Sequence, residues 1–282
     1  MFQLEYKSKA GSIKFGNSIG AIGNILLMSG FEFPPRSFEI INFAGENGST
    51  VIGQSDSART LTISGTLRGS QTDMERACRI LYQEGELWCL FGQQRRKIKC
   101  RCKNMDDFER IGRSGNNKFT LQLVADYPYF NDFYDTELPL YRQRNLVTET
   151  FTLPCVFTER ISEGDINNMG DKIIYPTIYI TDDSSVSASS GGVLIVNETT
   201  GAMIELPDYV MTYGETITID LGRRKITSSI AGDITNSLGD STPDLSVFFL
   251  EVGINHLTFT NETGQVLNAR IRYNPEYFTA VR

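Results

Sequence analysis

Short runs in which apolar and polar residues alternate fill the last third of the chain, and each run ends at Gly, Asn, Pro or Asp. This period of two is typical of antiparallel strands, and the residues between the runs favour tight turns. Beyond residue 140 the pattern predicts strands at Phe151–Phe157, Thr177–Ile180, Val193–Asn197, Met203–Leu206, Thr216–Asp220, Lys225–Ser228, Val247–Glu251, His256–Thr260 and Ala269–Tyr273. So many short strands within about 130 residues predict a jelly-roll or a similar β-sandwich.

The N-terminal half also alternates, but it contains one helical pattern. Its predicted strands are Leu4–Tyr6, Ile13–Phe15, Phe31–Phe33, Phe38–Ile41, Thr60–Leu67, Leu87–Phe91, Ile98–Lys103 and Phe119–Ala125. A helix is predicted over about 73–84, with Thr72 and Glu75 forming its capping box. The predicted buried face of this helix is Met74, Ala77, Cys78 and Leu81. The first half is therefore predicted to be a β-barrel or sandwich with one α-helix.

The two halves differ in charge, which supports a domain boundary near residue 140. The chain has 282 residues and a net charge of −7. Residues 1–140 hold 17 Lys and Arg against 16 Asp and Glu, a net charge of +1, whereas residues 141–282 hold 10 against 18, a net charge of −8. A segment rich in aromatics with two prolines, 126–145, is predicted to join the two domains. The acidic second half argues against general nucleic-acid binding, which needs clustered positive charge.

Cysteine and histidine usage does not favour a catalytic or metal centre. The five cysteines are an odd number, and the N-terminus lacks the apolar segment of a secretion signal, so we expect reduced thiols in a protein made in a cytosol. Cys100 and Cys102 share the apolar face of a predicted strand, without further zinc ligands at the usual spacing. The single histidine, His256, has no nucleophile in a suitable context. We therefore predict no catalytic residue, no metal and no cofactor.

Two acidic segments contain the oxygen ligands that calcium prefers. Residues 165–171 begin like a calcium-binding loop, but Pro176 stands where a bidentate Glu is required, which favours a turn. Asp233, Asp240 and Asp244 lie in a second polar loop, where calcium binding stays open. Carboxylate pairs for glycoside hydrolysis also stay open, because the sequence does not give the separation of two carboxylates in space.

The densest positive patch lies on one predicted strand. In 97–103 basic residues alternate with Ile98, Cys100 and Cys102, so the strand has one cationic and one apolar face. The candidate protein-interface residues are Arg95, Arg96, Lys97, Lys99, Arg101 and Lys103. A surface for single-stranded nucleic acid would interleave aromatic residues, and the patch contains none. The pattern therefore favours a solvated strand face or a contact with another protein.

Short motifs along the chain resemble those of siphophage distal tail proteins, the Dit family. In the first half they are Arg59-x-Leu-x-Ile-x-Gly65, the helix with Arg76 and Leu81, Leu87-Trp88-x-Leu90-Phe91 and Asp126-Tyr-Pro128-Tyr-Phe130. In the second half they are Asn168-Met-Gly-Asp171 before Pro176, Asn197-Glu-Thr-Thr200-Gly201, Ile219-Asp220, Phe249-Leu-Glu-x-Gly253-x-Asn255 and Tyr273-Asn-Pro-Glu-Tyr277. Each motif is short and turn-like, but together they cover most of the chain in order.

The resemblance implies a structural virion protein without catalytic residues. It implies a homohexameric ring at the distal end of a long non-contractile tail, built by the first domain around the DNA channel, with a galectin-like β-sandwich projecting outward. The implied partners are further copies of the chain, the tail tube protein, the tail-tip hub or baseplate and a receptor-binding protein. DNA is implied to pass through the ring without specific binding. Some members carry large carbohydrate-binding insertions, for which 282 residues leave no room.

Two other classes of function stay open from the sequence. A carbohydrate-binding module, or lectin, would suit the second domain alone, and a β-sandwich hydrolase is a third reading. The mass of the oligomer separates a ring from both. No apolar run approaches the roughly 20 residues of a membrane span. The resemblance implies a protein that is made in the host bacterial cytoplasm and carried at the tail tip of the virion.

Overall fold

The structure is a computed structural model that describes residues 2–43, 47–68, 71–106, 110–111, 116–140, 142–145, 158–161, 163–182, 192–242, 244–261 and 267–280. Within these ranges it has one α-helix, α1 (Gln71–Leu81), and two 3-10 helices, Thr235–Ser237 and Leu245–Val247. The strands of the first 133 residues are β1 (Phe2–Ser8), β2 (Gly11–Gly16), β3 (Gly23–Ser29), β4 (Arg36–Ile41), β5 (Thr50–Asp56), β6 (Arg59–Leu67), β7 (Gly85–Phe91), β8 (Gln94–Asp106), β9 (Arg110–Ile111), β10 (Asn116–Ala125) and β11 (Phe130–Asp132). The later strands are β12 (Thr136–Pro139), β13 (Arg142–Asn145), β14 (Thr158–Ile161), β15 (Glu163–Asn168), β16 (Thr177–Asp182), β17 (Val193–Asn197), β18 (Ala202–Leu206), β19 (Thr216–Asp220), β20 (Lys225–Ser228), β21 (Gly232–Asp233), β22 (Gly253–Asn261), β23 (Leu267–Tyr273) and β24 (Glu276–Tyr277).

The chain folds into two compact units, and both of its ends belong to the first. The first unit comprises 1–133 with 276–282, and the second comprises 134–275. The chain leaves the first unit inside the segment 126–145, where the sequence predicted a junction. The last seven residues return to the first unit because β24 pairs with β11, with Tyr277 opposite Phe130. The division therefore differs from the predicted domains 1–140 and 141–282.

Seven strands of the first unit close into a barrel. They follow the order β8-β7-β1-β2-β3-β6-β10, and β10 pairs back to β8. The neighbours run antiparallel except β2 and β3, which meet in parallel at Phe15 and Gly23. Closure pairs the strand edges that would otherwise be open to other chains.

The alternation predicted for 60–67 is confirmed in β6. Leu61, Ile63 and Leu67 are buried in the core of the first unit, while Thr62, Ser64 and Thr66 are less buried. Gly65 continues the inward face without a side chain for a steric reason. A Cβ atom there would lie 1.9 Å from the carbonyl oxygen of Asn24 and 2.8 Å from the ring of Phe119. Strand β3 and this ring therefore occupy the space that a side chain would need.

The predicted helix forms, but its start and its buried face differ from the prediction. Thr72 lies inside α1, so it cannot be the residue that caps the helix. Cys78 is exposed, whereas Ile80 is buried together with Ala77. Helix α1 packs against β1 and β2, and the Ser8 hydroxyl donates a hydrogen bond of 2.9 Å to the carbonyl of Ile80. A helix lying on one barrel wall buries only a narrow stripe, and Cys78 falls outside it.

A two-stranded ribbon, β4 with β5, stands apart from the barrel sheet. The alternation predicted the strand Phe38–Ile41 but missed β3 and β5. The predicted strand Phe31–Phe33 does not form. Phe31 is instead buried in the core, where its ring lies 6.3 Å from that of Phe130. Packing against distant residues thus replaces pairing in this segment.

The second unit is a β-sandwich. One sheet has the order β12-β23-β16-β19-β20-β21 and the other β15-β22-β17-β18. The inward residues of both sheets form a single apolar core, to which β16 contributes Ile178 and Ile180 and β17 contributes Val193 and Ile195. Within the described residues, β13 and β14 form a separate two-stranded sheet. The predicted fold class, mainly β with a one-helix barrel domain followed by a sandwich, is confirmed.

Some strands predicted for the second unit differ in the structure. Val247–Glu251 is wrong as a strand, because a 3-10 helix ends at Val247 and a single bridge then joins Leu250 to Ile174. Residues 165–168, predicted as a turn, belong to β15, which pairs along its length with β22. The predicted strand Phe151–Phe157 lies outside the described residues.

Candidate functional site

The predicted cationic patch lies on β8, and the strand places its members on both faces. Ile98 and Cys100 are buried, as the alternation predicted. Arg96 lies two residues before Ile98, so its side chain belongs to the same inward face of the strand. It is only 5% exposed and is therefore not part of a cationic surface. Arg95, Lys99, Arg101 and Lys103 are exposed, and Lys97 is partly buried. The prediction treated Arg96 as one more surface cation because charge alone suggested it, although its parity placed it inward.

Carboxylates neutralise much of the exposed part of this surface. Lys99 Nζ lies 3.3 Å from Glu84, and Arg101 lies 2.5 Å from Asp126 and 3.9 Å from Glu84. Lys97 Nζ lies 3.5 Å from Glu86. These pairs are close to water, where each contributes little to stability. The patch is therefore a mixed-charge surface and not a continuous cationic one.

The buried Arg96 and Arg59 both contact residues 277–279, near the C-terminus of the chain. Arg96 donates a hydrogen bond to the carbonyl of Thr279 and stacks on the ring of Tyr277, 3.7 Å from its centroid. Arg59 donates one of 2.9 Å to the carbonyl of Phe278. Burial lowers the pKa of Arg59 to about 10, so its guanidinium stays charged at neutral pH. Two buried cations thus donate charged hydrogen bonds to backbone carbonyl oxygens of this segment.

The ribbon β4–β5 exposes a dense set of large apolar side chains. The exposed fractions are 52% for Phe38, 52% for Ile40, 40% for Ile41, 54% for Val51 and 52% for Ile52. Ile40 lies directly across from Val51, so these two share one face. The base of the ribbon is held by an ion pair of 3.3 Å between Arg36 and Asp56. An apolar ribbon that faces water is typical of a surface covered by another protein.

A groove of about 260 Å³ runs beside α1 on the same unit. Its floor includes Ile13, Ala77 and Ile80, all buried. Ile19 also lines the groove and is fully exposed, so one wall of the groove is an apolar side chain in contact with water. The charged residues of the lining are Lys14, Asp73 and Arg76. Neither this groove nor the ribbon was predicted as a binding surface, although the three large apolar residues within Phe38–Ile41 were a visible signal.

The segments considered for metal binding serve local structure. Asp233 accepts hydrogen bonds from the backbone and the hydroxyl of Thr235, and Asp244 accepts one from the backbone of Ser246. These bonds hold the pKa of Asp233 at about 2 and that of Asp244 below its ordinary value. Among the described residues, no three His, Cys, Asp or Glu side chains gather in a way that could hold a metal.

His256 lies on β22 and pairs with an acidic neighbour strand. Its Nδ1 is 2.8 Å from Asp165 and its Nε2 is 3.9 Å from Glu163. All three side chains are partly exposed, so solvent weakens the attraction between them. The register of β15 against β22, which the sequence did not reveal, brings them together.

The described cysteines are free thiols that differ in exposure. Cys89 and Cys100 are buried, Cys102 is intermediate and Cys78 is exposed. Burial raises the pKa of Cys100 to about 12 and raises that of Cys89 as well. These two thiols therefore stay protonated and unreactive at neutral pH. Cys155 lies outside the described residues.

Two buried polar networks hold the loops of the second unit. Asn197 donates a hydrogen bond of 2.9 Å to the carbonyl of Phe249, and Asn255 donates one of 2.9 Å to that of Glu251. In the other network, Glu215 accepts bonds from Ser228, Tyr209 and the Thr212 backbone. Both sets satisfy buried loop groups, as folding requires.

No known protein family profile matches the chain, and no curated protein is similar in sequence. Among solved structures, the chain is similar to the Dit protein (gp19.1) of phage SPP1, described as a paradigm of the hub adsorption apparatus in phages that infect Gram-positive bacteria. The TM-score is 0.64 and the identity 14%, over 98% of this chain and 99% of that one. Two baseplate structures in the activated conformation, of phage P2 with Ca and of phage p2 with Sr, also align, with TM-scores of 0.48 and 0.46 and identities of 11% and 10%. They cover 96% of this chain and 97% and 98% of theirs. The resemblance to phage distal tail proteins noted in the sequence is thus confirmed at the level of the fold.

Proposed function

We propose that this chain is a structural protein of a phage tail tip. Six copies form a ring through their first units at the distal end of a long non-contractile tail, and the ring joins the tail tube to the hub or baseplate. The observation that carries the proposal is the fold shared with SPP1 Dit, because the alignment spans both units and nearly the whole of each chain. A shared barrel alone would support many functions, whereas the same two units in the same order support far fewer.

The apolar ribbon β4–β5 supports assembly through the first unit. Phe38, Ile40, Val51 and Ile52 are each more than half exposed in the single chain. Covering such side chains contributes about 25 cal/mol for each Å² of apolar surface removed from water. A ring uses a contact between two different surfaces of neighbouring copies, repeated until it closes. The ribbon supplies one of those two surfaces.

The charge division supports an outward second unit. Residues 134–275 hold 9 Lys and Arg against 19 Asp and Glu, a net charge of −10, and the first unit holds 18 against 15, a net charge of +3. An acidic wall around the channel would repel DNA, so we place the first unit around the DNA path. The acidic second unit then suits basic surfaces of a hub or receptor-binding protein. DNA passes through the ring without specific binding.

The exposed cations of β8 are proposed as a contact with a neighbouring tail protein. Arg95, Lys99, Arg101 and Lys103 remain in this role, and the buried Arg96 does not. Glu84 and Asp126 partly neutralise them. A partner must therefore compete for these ion pairs, which makes the contact sensitive to salt.

Native mass spectrometry of the purified full chain tests the proposal, with negative-stain electron microscopy to show the shape. The expected species is a ring of about 190 kDa, six times the chain mass of 31.6 kDa. The double substitution Ile40→Asp with Ile52→Asp is expected to abolish it, while Ile254→Asp, at a residue 67% exposed in the second unit, is a matched control. A chain that stays monomeric at high micromolar concentration, alone and with the tail tube protein, would contradict the proposal. Glycan binding by such a monomer would favour the lectin alternative.

A further inference from the structure

We propose that the groove beside α1 of one copy receives the ribbon β4–β5 of the next copy. The inference rests on the proposed ring and names the two surfaces that meet in it. A ring built from one kind of chain needs two complementary surfaces on each copy. The first unit carries an apolar ribbon and, separately, a groove with an apolar floor, and both are open in the single chain.

The size of the groove suits protein side chains. Its volume of about 260 Å³ is below the usual range of roughly 300–1,000 Å³ for small-molecule sites. Ile13, Ala77 and Ile80 form the base of the groove and are at most 4% exposed, so the fully exposed Ile19 supplies apolar contact to an inserted side chain. In the proposed contact, one or two of the ribbon's large side chains, such as Phe38 and Ile40, enter this space.

The charges of the two surfaces are complementary. Beyond the Arg36–Asp56 ion pair at its base, the charged residue of the described part of the ribbon is Glu39, which is exposed. The groove lining carries Lys14 and Arg76 together with Asp73, a net charge of +1. A ribbon that enters the groove can therefore place Glu39 near Lys14 or Arg76. Such pairs at the edge of an apolar contact favour one orientation over others.

Two variants, each with one damaged surface, test the arrangement. The ribbon variant carries Phe38→Asp and Ile40→Asp, and the groove variant carries Ile19→Asp and Arg76→Glu. All four residues are exposed, so the fold should survive, which far-UV circular dichroism and Trp88 fluorescence will check. Each variant alone is expected to form no ring, with association weakened at least about 30-fold, the loss typical of one hot-spot residue.

Mixing the two variants is the decisive step. The intact ribbon of the groove variant can enter the intact groove of the ribbon variant, and the two surfaces left over are both damaged. The expected product is a heterodimer of about 63 kDa, twice the chain mass, that grows no further. Isotope labelling of one variant identifies the heterodimer by native mass spectrometry. The control substitution Ile254→Asp is expected to leave the wild-type ring intact.

The outcomes separate this inference from the proposed function. If the wild type forms rings but the groove variant also does, or the mixture yields no heterodimer, the inference is wrong and the ring stands. If the wild type forms no ring even with the tail tube protein, the proposed function fails as well. A charge exchange gives an independent check. Glu39→Arg and Arg76→Glu should each weaken the ring, and the two together should restore it. Failure of that restoration would count against the orientation proposed here.

Discussion

The guanidinium of Arg96 stacks on the ring of Tyr277, with its central carbon 3.7 Å from the ring centroid. The two residues are 181 positions apart, one on a barrel strand and the other where the chain returns to the first unit. Tyr277 also donates a hydrogen bond of 3.1 Å to Asp132 on β11. The second unit is therefore inserted in the chain between β11 and β24, two paired strands of the first unit. The contacts of Tyr277 with Arg96 and Asp132 hold β24 in the first unit.

We expect Arg96→Ala to destabilise the first unit by about 2–3 kcal/mol. The substitution removes the stacking on Tyr277 and the hydrogen bond from the buried guanidinium to the carbonyl of Thr279. Trp88 is the single tryptophan and lies on β7, so its fluorescence in a urea titration reports on this unit. Arg95→Ala, at the exposed neighbour, should change stability by less than about 0.5 kcal/mol. Equal effects of both substitutions would show that the buried contacts contribute nothing.

Acid should weaken the second unit through Glu215. Burial tends to raise the pKa of this carboxyl, but hydrogen bonds from Ser228, Tyr209 and Thr212 outweigh it and hold the pKa below its ordinary value. The stabilisation is therefore complete above the unfolded-chain pKa of about 4.3 and is lost as the pH falls through the lower folded pKa. Calorimetry at pH 7 and at pH 3 should show Glu215→Gln less stable than the wild type by roughly 2 kcal/mol at pH 7 and by less at pH 3. A difference independent of pH would mean that the charge does not matter.

Asn255→Ala should destabilise the second unit by roughly 2–3 kcal/mol. The fully buried Asn255 amide donates to the carbonyls of Glu251 and Gly253 and accepts from the Glu251 backbone. An alanine would leave these buried groups unsatisfied. Calorimetry measures the loss, with Asn236→Ala at an exposed position as the control. A loss no larger than that of the control would contradict the structural role.

The thiols should react in the order of their exposure. In a Cys155→Ser background at pH 8, we expect Cys78 to react with a thiol reagent within minutes and Cys89 and Cys100 to resist until the protein unfolds. The raised pKa values of the two buried thiols leave almost no thiolate at that pH. Mass spectrometry of the labelled peptides identifies each site, and denatured protein provides the full-reaction control. Rapid labelling of Cys100 in the folded protein would be incompatible with its burial.

The cations of β8 should influence assembly in a way that depends on salt. The double substitution Lys99→Glu with Arg101→Glu is expected to impair joining to a neighbouring tail protein and to reduce the salt dependence of the contact. Lys9→Glu, at an exposed cation elsewhere on the first unit, serves as control. Analytical ultracentrifugation with the tail tube protein at 50 and 500 mM salt measures both effects. Normal assembly of the double variant would exclude these cations from the interface.

Alternation along the chain was enough to predict many of the individual strands. Strands β17, β19 and β20 begin and end where the pattern placed them, because each has one face in the sandwich core and one in water. The pattern did not predict strands whose two faces are equally exposed. Strand β5 exposes residues on both of its faces, so its sequence carries no period of two. Val247–Glu251 was wrongly predicted as a strand because a buried loop is as rich in apolar residues as a buried strand, and Phe248 and Leu250 are both buried.

By itself, the sequence determined the fold class, the single helix and the charge contrast between the two parts of the chain, since composition and local periodicity are properties of neighbouring residues. Only the tertiary structure decided that the last residues belong to the first unit, that Arg96 faces inward, and that an apolar ribbon and a groove lie open on the same barrel. Each of these depends on contacts between residues far apart in the chain, such as Arg59 with Phe278. Local patterns do not encode such pairings, because many distant partners satisfy the same buried charge or apolar face equally well.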